Sequence, residues 1–125
     1  MPHVHWKDEP EEHDYPAALD YLELLIDAET ASALVARLRA APQVMKKAKD
    51  ILRASSLPIL GADNVHVASD IDKVQDHQDL SPVLLVRGNL AIPRPLVIAD
   101  GYHRVCAVYA LDSDAEVACR IGDKE

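Results

Sequence analysis

The stretch LSPVLLVRG, residues 80 to 88, constrains this chain more than any other. Four consecutive apolar residues, Val83 to Val86, stand between Pro82 and Gly88 and leave no polar face to turn to solvent. Such a run reads as a strand buried on both faces. A second strand, PLVIA, follows the two-proline connection GNLAIPRP. The segment from Tyr102 to Leu111 predicts a helix. In EVACRI, Val117, Cys119 and Ile121 alternate as in a third strand.

Ahead of this back half the signals are helical. Asp14 is a good cap, Pro16 suits a first turn, and Leu19, Leu22, Leu25 and Ile26 share one face. A second helix is expected from near Asp27 or Thr30, with Leu34, Val35 and Leu38 inward, stopping before Pro42. A third is expected from Gln43 to Ser55, with Val44, Ala48, Ile51 and Leu52 inward and Lys46, Lys49, Asp50 and Arg53 outward. Asn64 can cap a short helix holding Val67, Ile71 and Val74. The expected fold is therefore α+β, in one domain over residues 14–125 after a polar arm at 1–13. A helical part (14–57) packs on a small mixed sheet with a strand–strand–helix–strand core (58–125).

Charge narrows the partners. The net charge of −8 disfavours bulk attraction to nucleic acid or an anionic membrane. Arg37, Arg39, Lys46, Lys47, Lys49 and Arg53 nevertheless crowd residues 37–53 against Asp50 alone. This reads first as the solvated face of a helix, and second as a basic surface for a protein or nucleic-acid partner. The longest uncharged run, Ala54 to Ala62, has nine residues, short of the roughly 18 that span a bilayer. No basic start followed by an apolar stretch marks a secretory signal. Cys106 and Cys119 fall in a helix and a strand and make no disulfide framework. A cytoplasmic setting is expected, with a homo-oligomer left open.

Chemistry gathers where PLVIA ends, at Asp100-Gly101-Tyr102-His103-Arg104. A strand, a glycine turn and a helix start make an anion site, because the first N–H groups of a helix lack intrahelical partners. Gly101 lets a ligand approach the backbone, Arg104 offers a planar cationic fork, and His103 a donor that titrates near neutrality. Asp100 can cap, bind a metal or act as a base. The bland alternative is a capped turn with His103 and Arg104 as surface residues. Cations at a helix start cost roughly 0.3–1 kcal/mol each, which favours a site. Lys73, on the helix that Asn64 caps, could reach a phosphate. His3, His5 and His13 among carboxylates suggest a solvated acidic arm before they suggest a metal.

SPVLLVRG, PLVIADGYHRVCAVYAL and AEVACRI together resemble the core of the ParB/sulfiredoxin-like superfamily, over about residues 63 to 122. The resemblance implies a nucleotide phosphate, of CTP or ATP with Mg²⁺, held at the helix start. Gly101, His103 and Arg104 match the sulfiredoxin G-C-H-R pattern, and the sulfiredoxin cysteine falls at Tyr102, so that reaction is not implied. Gly101 and Arg104 match the ParB G-E-R-R pattern, while Tyr102 and His103 depart from it. The sequence ends at Glu125, leaving no room for ParB's helix-turn-helix, so chromosome segregation is not expected. Small-molecule phosphotransfer or hydrolysis is the implied chemistry. Asp100 and His103 are then the catalytic candidates, Asp100 the metal ligand, and Gly101, Tyr102, His103, Arg104, Asn64 and His66 the ligand contacts.

Overall fold

The computed structural model describes residues 3–91 and 95–123. Ile92, Pro93 and Arg94 of the predicted connection lie outside the described residues. The element order is α1 (Asp14–Leu22), α2 (Ala28–Ala40), β1 (Gln43–Lys47), α3 (Ala48–Ser55), α4 (Val65–Gln75), β2 (Val83–Val86), β3 (Val97–Asp100), α5 (Tyr102–Leu111) and β4 (Glu116–Gly122). The fold is α+β, with helices on a small mixed sheet.

The four strands run β1-β4-β2-β3. β2 pairs parallel with β4 and antiparallel with β3, and β1 pairs antiparallel with β4. β2 shows why Val83 to Val86 had to be apolar throughout. Val83 and Leu85 enter one core with Ile51, Leu52, Val67 and Val105, from α3, α4 and α5. Leu84 and Val86 enter a second core with Tyr15, Leu22, Leu34 and Leu38, from α1 and α2. Both faces of the sheet are thus covered, as a strand without a polar face requires. The helical front half supplies one of the two covers.

The predicted third helix is corrected. Gln43 to Lys47 form β1, and only Ala48 to Ser55 are helical. Gln43 lies opposite Arg120 and Lys47 opposite Glu116, so β4 dictates this conformation from across the sheet. The basic band is accordingly not one helix face. Arg37 and Arg39 end α2, Lys46 and Lys47 lie on an edge strand, and Lys49 and Arg53 lie on α3. Much of it is neutralised: Arg39 meets Glu12 at 2.6 Å, Lys49 meets Asp114 at 2.6 Å and Arg53 meets Asp50 at 3.2 Å. Lysines on an edge strand also oppose pairing with another chain.

Two further differences bear on the site. α1 stops at Leu22, and Leu25 beyond it is exposed. The cap position of α1 belongs to His13, leaving Asp14 inside the helix with its side chain buried. The polar arm is tied down, since the Leu80 amide donates to the His5 carbonyl at 2.9 Å and the Lys7 amide to the Leu80 carbonyl at 2.8 Å.

Candidate functional site

β3 delivers the chain to Gly101, where the backbone turns with φ +105° to start α5. An L side chain is strained at that angle, and a Cβ there would stand 2.4 Å from Val83 Cγ1. Glycine is required by the backbone and by β2 beneath it. No side chain caps α5 among the described residues, and the helical ladder begins with the Val105 amide bonded to the Gly101 carbonyl at 3.1 Å. The amides of Tyr102, His103 and Arg104 precede that ladder.

Arg104 points back into the fold. Its Nη2 meets Asp100 Oδ2 at 2.7 Å, and its Nη1 meets Asp14 Oδ2 at 3.3 Å. The same Asp14 oxygen accepts the Ser81 hydroxyl, whose own oxygen accepts the Glu11 amide at 3.0 Å. The guanidinium thus joins α5, β3 and α1, and the Ser81 hydroxyl adds the segment entering β2. Burial pushes the Asp100 carboxyl up to about 6, with Arg104 pulling it down and Asp14 pushing it up. Asp100 is therefore no cap of α5 but the partner of Arg104.

A second helix starts beside the first. Asn64 accepts the amides of His66 at 2.9 Å and Val67 at 3.2 Å, capping α4. His66 on α4 and His103 on α5 each occupy the second helical position, with ring centroids 4.8 Å apart. Burial and the neighbouring His66 push His103 below the usual imidazole range, and Asp70 opposes them. Around these groups lies a cleft of about 360 Å³, lined also by His13, Asp14, Lys73, Gly101 and Arg104.

The expected site residues are only partly assembled. Asp100, Gly101, His103, Arg104, His66 and Lys73 line the cleft. Tyr102 instead sends its hydroxyl to the Pro58 carbonyl, and the Asn64 carbonyl oxygen is taken up by its cap. Asn64→Ala should cost about 1 kcal/mol, the usual price of a lost cap, and leave the lining of the cleft, of which Asn64 is no part, in place. Chemical denaturation of the variant, with the amide spectrum of Gly101 to Arg104 as the second readout, checks both halves. His3 and His5 meet edge to face with ring centroids 5.0 Å apart, and His13 contacts Glu11 and Asp14. Asp14 and Ser81 were missed by the sequence reading, because nothing local marks them as partners of residues 90 and 67 positions away.

Metal and thiol chemistry find little footing. Among the described residues no group of three or more His, Cys, Asp or Glu side chains could hold a metal ion. Asp100, the expected metal ligand, has Oδ2 committed to Arg104, so the residues present do not fit a protein-held Mg²⁺. Cys106 and Cys119 are buried free thiols, and burial raises both, Cys119 to about 11. A larger hollow of about 570 Å³ lies between the α1–α2 turn and the end of β2. Its floor of Leu22, Leu34 and Val86 is apolar, and the charged residues lining it, Arg87 and Asp123, pair with each other at 3.1 Å. Comparisons with protein-family models, with curated proteins and with solved structures find no match, and the reading of the site rests on this geometry.

Proposed function

We propose that the chain binds the phosphate of a nucleotide, or of another phosphorylated small molecule, in the cleft where α4 and α5 begin. The observation that supports this best is the start of α5, a glycine turn with no side-chain cap, flanked by His103, His66 and Lys73. Backbone amides and the helix dipole favour a negative group there, and the flanking side chains supply donors. The reading gives Arg104 a different part from a free clamp. Held by two carboxylates, it fixes the start of α5 and offsets their charge. Phosphoryl transfer or hydrolysis is the reaction class open to such a site. His103 is the group placed to move a proton, and Asp100 holds Arg104 in position.

Thermal unfolding with ATP, CTP, pyrophosphate and inorganic phosphate, with and without Mg²⁺, tests the reading. A ligand at 100 times its Kd stabilises by about 2.7 kcal/mol. The shift should vanish in the His103→Ala, Lys73→Ala double variant and persist in Lys46→Glu, Lys47→Glu. Absence of stabilisation by every one of these compounds would sink the proposal. Loss of the shift only in the Lys46, Lys47 variant would move the function to the basic band.

A further inference from the structure

The two imidazoles that face each other across the cleft raise a question that phosphate binding alone does not answer. His66 comes from α4 and His103 from α5, with ring centroids 4.8 Å apart. Each sits in the first turn of its helix, where the dipole opposes a positive charge. Two imidazolium rings at this separation also repel one another. Burial and the neighbouring His66 hold His103 below its ordinary range, so a proton on that ring is unfavourable in the free protein, and an anion lodged between the helix starts removes the obstacle.

The other charged groups in the cleft set its balance. α1 contributes Asp14 and the His13 imidazole at its start. α4 contributes Asp70 and Lys73, 3.7 Å apart. β3 contributes Asp100 and α5 contributes Arg104. With imidazoles neutral, three carboxylates face two cations, and the lining carries a formal excess of negative charge. With His66 and His103 protonated, the excess is positive. Histidine changes charge between pH 5 and 8, and Asp100, lifted by burial to about 6, takes up a proton in the same window. Both make the cleft more positive as pH falls, and the histidine variants separate the two contributions.

We propose that the His66–His103 pair is a proton gate for the cleft, which admits a doubly charged anion when the pair takes up protons and excludes it when the pair is neutral. This rests on the phosphate-binding reading and adds its regulation. Binding and protonation are then reciprocal: the anion raises the proton affinity of the pair as much as the protons raise the affinity for the anion.

Sulfate is the suitable probe, because its own charge is constant from pH 5 to 8. The amide resonances of Gly101 to Arg104 are followed by NMR during sulfate titrations at pH 5.5 and 7.5, at fixed ionic strength. Each proton taken up on binding makes the affinity rise about tenfold per pH unit within the titrating range. An apparent affinity at least tenfold higher at pH 5.5 is expected, and it should flatten in His66→Gln and His103→Gln. The wild-type ring C–H resonances give a second measurement that needs no variant, and sulfate should move the titration midpoints of both rings upward. Equal affinity at the two pH values, or unmoved midpoints in the bound protein, overturns the gate and leaves the phosphate reading standing. No sulfate-, phosphate- or nucleotide-dependent shift at any pH removes the phosphate reading and the gate with it.

Discussion

Gly101→Ala is expected to destabilise the protein by about 3 kcal/mol or more, the largest single-methyl effect the fold offers. Two independent costs meet there. The backbone holds φ at +105°, where an L residue is strained. The added Cβ would also stand 2.4 Å from Val83 Cγ1, 2.8 Å from Val83 Cβ and 2.8 Å from Arg104 Nη2. Val83 is fully buried at the start of β2 and cannot retreat, so the strain falls on the junction of β3 and α5. At roughly 4 °C per kcal/mol for a chain of this length, the midpoint of thermal unfolding should fall by on the order of 10 °C. Adding Val83→Ala to the variant removes the Cγ1 contact but neither the Cβ contact nor the dihedral cost. The pair should therefore couple favourably in a double-mutant cycle. A Gly101→Ala protein as stable as the parent would mean that the turn is not built as described.

Arg104→Met should be nearly as costly, and its cost should depend on pH. The variant keeps side-chain length and removes the charge, leaving Asp14 with the Ser81 hydroxyl and the His13 imidazole, and Asp100 without its guanidinium partner. Breaking a buried ion pair by deleting one partner costs about 3–5 kcal/mol. The sign follows from Asp100. Burial lifts its carboxyl from 3.8 to about 6 in the folded protein, so its contribution to stability is complete below pH 3.8 and is lost as pH rises through 6. Removing Arg104 takes away the influence that lowers this carboxyl and moves the loss to higher pH, where the wild type is no longer changing. The deficit of the variant should be full near pH 8 and less than half as large near pH 5, where Asp100 takes up a proton. Urea denaturation at the two pH values measures it. An equal deficit at both would show that Arg104 stabilises by packing rather than by its charge.

Much of the back half was legible because its signals are local. Val83 to Val86 are apolar without interruption, Val117 to Ile121 alternate, and Asp100-Gly101 breaks an apolar strand from an apolar helix. β1 was not legible for a physical reason. Val44, Ala48, Ile51 and Leu52 fall at spacings of four, seven and eight residues, which is the period of a helix face. The strand exists because β4 offers a partner at every position from Gln43 to Lys47. The site divides in the same way. Gly101, His103 and Arg104 announce themselves by sitting at a strand–helix junction. Asp14 looks like an ordinary helix cap, and only the folded chain turns its carboxylate toward Arg104, with Ser81 donating to it. Asn64 was legible as a cap, and that is the role it fills.

The two-sided burial of β2 also bears on what counts as a unit of this protein. The segment from the GADN turn to the last strand supplies three of the four strands, part of the cover on one face of the sheet and none of the cover on the other. Leu84, Val86 and Ala99 on that other face are covered by Tyr15, Ala18, Leu22, Leu34 and Leu38. The same layer brings the carboxylate that steadies Arg104. Grafted elsewhere without residues 14–40, the segment would keep Asp100 against Arg104 but lose Asp14 and the shelter of the second layer. The smallest portable version of this site is nearly the whole chain.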